Sequence, residues 1–283
     1  MGLVSELGTT WSRWGQPLIP IATIYDPFVA RALEPWSFGM YAGGQSILIG
    51  TPSGVTLAPE GGAHQIPHHC LHWTGTARVP GLGACLRPGS GMVHARGDAP
   101  DRPPRRTLCL LPAHHPSTGS RTGRHADGRG AGGATPLALG GRLSDHDPVE
   151  VKVTLVGIGA MMHEVIASAA WLKELGITAG VVCLTSPDLV FDSLQSRNSL
   201  NHGSGPAGFD IVDALFPRHA PAPLVTVQDG HPHTLSFLAG ARGDRAVSLG
   251  VRDFGQSSDV EDACRIHGID EASIVNAAVN LMR

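Results

Sequence analysis

Apolar and polar positions alternate in two unlike ways along this chain of 283 residues. Toward the carboxyl end, short β-branched runs are separated by longer stretches of helical periodicity, the alternation expected of an α/β sheet. Residues 152–158 predict a strand, 161–175 a helix stopped by Gly176, and 179–184 the next strand. Pro187 suits the first position of another helix. Residues 224–228 and 246–251 predict two more strands with a helix over 232–241 between them, and the last helices begin near Ser258 and Asp270. Asp270 is suited to N-capping, and Ile274, Val275, Ala278 and Leu281 give the final helix an apolar stripe. Residues 146–283 therefore predict a doubly wound α/β domain, an open and mainly parallel sheet with helices on both faces.

The first stretch, residues 1–65, is shorter and richer in turns. Its runs 19–25 and 46–50 read as buried parallel strands, with a helix over 28–39 between them. The second strand runs into "GTPSG" at 50–54 and "EGGAHQ" at 60–65, polar loops at the carboxyl end of a strand. Open α/β sheets bind their ligands at that end. His64 stands among small residues, which lets the backbone approach a ligand and leaves an imidazole to give or take a proton.

Between these stretches, residues 66–145 contain no Lys, Glu, Gln, Asn, Phe or Tyr, but one isoleucine, one tryptophan and nine prolines. Burial worth roughly 25 cal/mol per Å2 cannot offset an ordering cost of about 1–2 kcal/mol per residue in such a segment, so it is expected to be mostly irregular. Over the whole chain, charged residues make up 16% and the net charge is -3, which demands no polyanionic partner and argues against nucleic-acid binding. The five cysteines, at 70, 85, 109, 183 and 264, form no disulfide framework, and no run approaches the ~18–20 apolar residues of a membrane helix. A soluble, cytoplasmic protein is the expectation.

The string "IPIATIYDPFVARALEPWSFGMYAGGQSILIGTPSGVTLAPEGGAHQ", residues 19–65, resembles the pyrimidine-binding domain of the transketolase superfamily, in particular homodimeric-type pyruvate dehydrogenase E1. "VTLVGIGAMMHEVIASAAWLKELGI", "VTVQDGHPHTLSFLAG" and "LGVRDFGQSSDVEDACRIHGID" resemble that family's C-terminal domain. The resemblance implies thiamine diphosphate chemistry, in which the cofactor's ylid attacks a 2-oxo acid and stores the carbanion left by decarboxylation. It further implies acetyl transfer to lipoyl groups, a homodimer, and a lipoyl-bearing acyltransferase as partner. Carried onto this chain, Phe28 is similar to the aromatic that stacks on the aminopyrimidine, His64 to the active-site histidine, and Glu60 to an acidic residue near the substrate.

The same family needs a carboxylate on the pyrimidine ring, and a domain that holds Mg2+ and the diphosphate. In the resemblance the carboxylate lies upstream of "ELGTTW", so Glu6 falls beyond it in register, and no GDG-type metal loop occurs in this sequence. This chain alone is expected to be an incomplete fragment without turnover. Alternatives are a transketolase-like enzyme acting on sugars or other 2-oxo acids, and a non-catalytic interaction or regulatory remnant.

The composition of residues 66–145 is that of GC-rich DNA read out of frame. Permitted codons for residues 79–96, moved by one base, yield "CLAWEPAFGQDLEWCM", similar to the family's missing section. A one-base shift entering near Ile66 and reversed by about Asp145 follows as an expectation. A competing reading makes Cys70, His72, Cys85, His94, Cys109, His114 and His115 a zinc-binding module, though their spacings match no compact template. His231 and His233 have a spacing that would suit a metal or phosphate, but a turn explains them more simply. Gly157-x-Gly159 is read as a tight strand-to-helix turn, and Ser257 and Ser258 as the start of a helix.

Overall fold

The computed structural model describes residues 1–15, 18–50, 54–64, 81–84, 108–112, 140–142, 150–184, 187–197, 211–241, 243–253 and 255–283. Its strands form where β-branched and small apolar residues run between turn signals, and they make two sheets. Two short helices, α1 (Gly2–Gly8) and α2 (Thr10–Trp14), precede the first sheet. That sheet contains β1 (Ile21–Ile24), β2 (Ile47–Gly50), β3 (Gly81–Ala84) and β4 (Leu108–Pro112), in the order β1-β2-β4-β3 with all pairs parallel. Helix α3 (Val29–Tyr41) links β1 to β2, and its Val29, Ala32 and Trp36 share one helical face, which is buried on Leu48 of β2.

The second sheet contains β5 (Gly140–Arg142), β6 (Val153–Gly157), β7 (Ala179–Leu184), β8 (Leu224–Val227) and β9 (Ala246–Leu249), in the order β5-β7-β6-β8-β9. All pairs are parallel except β5 with β7. Helices α4 (Met162–Glu174), α5 (Pro187–Arg197), α6 (Ile211–Leu215), α7 (Val260–His267) and α8 (Glu271–Met282) accompany it. Strand β6 is buried along its whole length because both faces are covered, which is why its sequence shows no polar alternation. Val153 and Leu155 pack with Met162 and Leu172 of α4 and with Ile274 and Ala278 of α8. Val156 packs on the opposite face with Val190 of α5, Val212 of α6, Leu235 and Leu238. The α/β class, the mainly parallel sheet and the two covered faces are as the sequence predicts.

Four local differences have physical reasons. Strand β1 forms an edge of its sheet among the described residues, so Ile21 is 65% exposed where a buried strand was expected. The predicted helix at 232–241 is a 3₁₀-helix (Pro232–Gly240). Its buried residues Leu235 and Leu238, followed by Ala241, recur every third position, which suits three residues per turn rather than 3.6. Strands β3, β4 and β5 lie inside the window expected to be mostly irregular, and β5 extends the second sheet to Gly140, before the expected boundary at 146. Asp259 rather than Ser258 caps α7, accepting from the Asp262 N–H at 2.8 Å.

The residues weighed as a zinc module between Cys70 and His115 lie outside the described residues, apart from Cys109, whose backbone is in β4. No helix among the described residues is long and apolar enough to cross a membrane.

Candidate functional site at the carboxyl ends of the first sheet

Strands β1 and β2 are parallel, so the segments that leave their carboxyl ends emerge side by side. Tyr25 follows β1 directly, and a 3₁₀ turn (Asp26–Phe28) then brings Phe28 to the start of α3. Beyond β2 come two further 3₁₀ segments, Gly54–Glu60 and Gly62–His64. Their meeting point joins the three residues singled out in the sequence. The Tyr25 hydroxyl lies 2.6 Å from Glu60 Oε2 and 2.9 Å from His64 Nδ1. The Tyr25 ring stands edge-on to Phe28 with centroids 5.8 Å apart, and lies 5.9 Å from the His64 ring.

This geometry accommodates one proton arrangement in which Tyr25 is the donor to Glu60. A tyrosine hydroxyl has one proton, and an ionised carboxylate only accepts, so Tyr25 donates to Glu60. The phenolic oxygen then accepts from His64 Nδ1–H, which leaves Nε2 as the nitrogen with a lone pair. In that arrangement Glu60 favours this histidine tautomer through an intervening hydroxyl. The set can accept a proton at Nε2 and hold the imidazolium against a chain that ends in a carboxylate.

Phe28 is 52% exposed, so it is not a core phenylalanine. Its ring offers a flat apolar face, and the Arg31 guanidinium carbon lies 5.9 Å from the ring centroid. Tyr25 went unrecognised in the sequence because it reads as the last residue of a strand. Only the parallel pairing of β1 with β2 brings it to Glu60 and His64, which lie 35 and 39 positions further along.

The remaining candidates have structural explanations. His231 Nδ1 accepts from the His233 N–H at 3.3 Å and so caps the 3₁₀-helix (Pro232–Gly240). Among the described residues no group of three or more His, Cys, Asp or Glu side chains is placed to hold a metal ion. At Gly157 a β-carbon would come within 2.5 Å of Met162 Sδ and 3.0 Å of Val165 Cγ2, so α4 packs closely on β6 there, and Gly159 turns the chain with a φ of 59°. Ser257 and Ser258 reach back to the first domain, Ser258 donating its N–H to the Ala58 carbonyl at 3.2 Å.

Residues 141–270 match the family model described as transketolase-like TK C-terminal domain. The second domain is transketolase-like. Solved structures extend the likeness across both domains at the level of fold. A split-gene transketolase in an inactive β4 tetramer superimposes with a TM-score of 0.60 at 17% identity, covering 100% of this chain and 82% of that one. Transketolase from Campylobacter jejuni gives 0.61 at 12% identity over 98% of this chain, which spans 38% of that protein. The Pichia stipitis transketolase complex with sedoheptulose 7-phosphate gives 0.60 at 13% identity over 93% of this chain and 34% of that one. No curated protein sequence matches this chain.

Transketolase-like enzymes use thiamine diphosphate with a divalent metal. Phe28 presents a half-exposed ring beside Tyr25, Glu60 and His64. The described residues include no metal-holding group for the cofactor's diphosphate end.

Proposed function

We propose that this chain carries the pyrimidine-facing half of a thiamine diphosphate site, used for decarboxylation of pyruvate with transfer of the acetyl unit to lipoyl groups. The observation that carries the reading is the contact of Tyr25 with both Glu60 and His64 next to the half-exposed ring of Phe28. When bound, thiamine diphosphate supplies the electron sink for loss of carbon dioxide. The chain's own residues do the rest. Phe28 orients the planar ring, His64 Nε2 takes or returns a proton at the substrate oxygen, and Glu60 holds the imidazole through Tyr25 in the tautomer that makes this exchange available.

The choice of pyruvate rests on the strings at 19–65 and in the second domain, which resemble pyruvate dehydrogenase E1. The second reading, ketol transfer between sugar phosphates, is favoured by the transketolase structures that share the fold. In either case the reading assigns the diphosphate and Mg2+ to a region other than the described residues, which include no metal-holding group. The inactive state of the split-gene protein, 82% of which this chain covers, agrees with such a division of labour. Self-association and, for the pyruvate reading, a lipoyl-bearing acyltransferase complete the set of partners.

The purified chain, given thiamine diphosphate, Mg2+, pyruvate and an artificial electron acceptor, is expected to show no turnover, and measurable turnover contradicts the division of labour. Replacing pyruvate by a ketose phosphate donor, with an aldose phosphate acceptor and the diphosphate-binding region supplied, decides between the two reactions. We also infer that residues 66–145 come from a shifted frame. Sequencing the gene across the codons for Glu60 to Glu150 tests this, and one uninterrupted frame in independent reads contradicts it.

A further inference from the structure

The segment that carries Glu60 and His64 belongs to the first domain in sequence but is held largely by the second. Val55 and Ala58, on the 3₁₀-helix (Gly54–Glu60), are fully buried, and their side chains join the core cluster of the second domain with Val227, Val251 and Cys264. The Val55 N–H donates to Asp229 Oδ1 at 2.7 Å, across 174 residues of sequence. The Ala58 carbonyl accepts from three donors: Gly61 N–H at 3.3 Å, Ser258 N–H at 3.2 Å and the Ser257 hydroxyl at 3.4 Å. Asp229 lies two residues beyond β8, and both serines follow β9, so the anchors leave the carboxyl ends of neighbouring parallel strands.

Two glycines show how closely the surfaces meet. Gly54 has a φ of 53°, and a β-carbon there would overlap the Asp229 carboxylate. A β-carbon on Gly62 would overlap the Gly255 backbone. The path from the Asp229 anchor to the Tyr25 contacts is short: Glu60 lies five positions beyond Val55, and His64 nine. A displaced Val55 therefore moves the backbone that presents both groups to Tyr25.

We propose that Asp229 is a positioning residue: by accepting the Val55 N–H, it lets the second domain set the geometry of the Tyr25–Glu60–His64 contact. This rests on reading that contact as the site. A carboxylate on a backbone N–H is a charge-assisted bond, shorter and stronger than a neutral one, and truncating it leaves a donor without its acceptor. Asparagine retains an acceptor oxygen of the same reach, whereas alanine retains none.

The test uses the full chain, isotopically labelled and free of ligand. The readout is the nuclear Overhauser contact between the Tyr25 and His64 rings. It is expected to be present in the unaltered protein, retained in Asp229→Asn and lost in Asp229→Ala, with the methyl signals of Ile274 and Leu155 in the second core unchanged. A contact that survives in Asp229→Ala, or is lost equally in Asp229→Asn, overturns the proposal. A measurement on the unaltered protein keeps the question open to refutation should Asp229→Ala fail to fold. The Val55 amide is expected to exchange as slowly as the amides of β8, and exchange at the rate of a free loop also overturns the proposal. Failure of the functional reading would look different, because thiamine would then leave the ring signals of Phe28, Tyr25 and His64 unshifted while the Asp229 results stood.

Discussion

Trp36 Nε1 donates to the Ser46 hydroxyl at 2.9 Å, a buried bond that ties α3 to the residue before β2. Trp36 is 1% exposed, the largest fully buried side chain among the described residues, and Ser46 is 5% exposed. Trp36→Phe retains most of the ring packing but leaves the serine without this donor. A buried polar group that loses its partner costs about 1–3 kcal/mol, so the variant is expected to lower the denaturant midpoint accordingly. A midpoint unchanged by the substitution would show that the bond contributes nothing to the first domain.

His267 and Glu164 give the second domain opposite pH dependences in neighbouring ranges. Burial lowers the His267 pKa from 6.5, with Asp253 pulling the other way. The unfolded chain then binds a proton more readily than the folded one, so stability is full above about 6.5 and declines as pH falls through the folded value. Burial raises the Glu164 pKa from 4.5; His163 opposes the shift, and Glu271 and Asp270 add to it. Its stabilising contribution is full below about 4.5 and declines as pH rises through the folded value. Thermal melts from pH 4 to about pH 7.5 are expected to show His267→Gln flattening the acid slope below 6.5 and Glu164→Gln gaining stability near pH 7 relative to pH 4. Identical slopes in variant and parent would contradict these assignments.

Cys264 is 3% exposed, and burial, reinforced by nearby Glu164 and Asp229, pushes its thiol up to about 12. The thiolate is the reactive form, so Cys264 is expected to resist an alkylating reagent in the native protein and to react on unfolding. Peptide-resolved mass spectrometry measures this directly. Native-state modification of Cys264 at the rate of a free thiol would show that α7 opens.

Much of the second domain was legible because its signals are local. The strand predicted at 179–184 coincides with β7 (Ala179–Leu184), Pro187 begins α5, and the stripe Ile274, Val275, Ala278 and Leu281 is the buried face of α8. Periodicity, proline and capping preferences act within a few residues, so a single sequence displays them. Phe28, Glu60 and His64 were singled out through resemblance, and the structure brings all three to Tyr25. Tyr25 and Asp229 were not singled out, since each matters through a partner far along the chain. Exposure of β1 was hidden for a similar reason, because the apolar run 19–25 does not tell whether a second neighbour pairs with it. Asp270 does occupy the N-cap of α8, but its side chain makes no capping hydrogen bond and Oδ1 is buried without a partner.

The proposed function requires Phe28, Tyr25, Glu60 and His64 to form the pyrimidine end of a cofactor site whose diphosphate end the described residues do not include. Titrating the labelled full chain with thiamine and, separately, with thiamine diphosphate tests it most directly by the shifts of the Phe28, Tyr25 and His64 ring signals. Both ligands are expected to produce the same shifts with the same weak affinity, independent of Mg2+, and Phe28→Ala is expected to abolish them. Ring signals that do not move, or tight binding of thiamine diphosphate that requires Mg2+, would contradict the account.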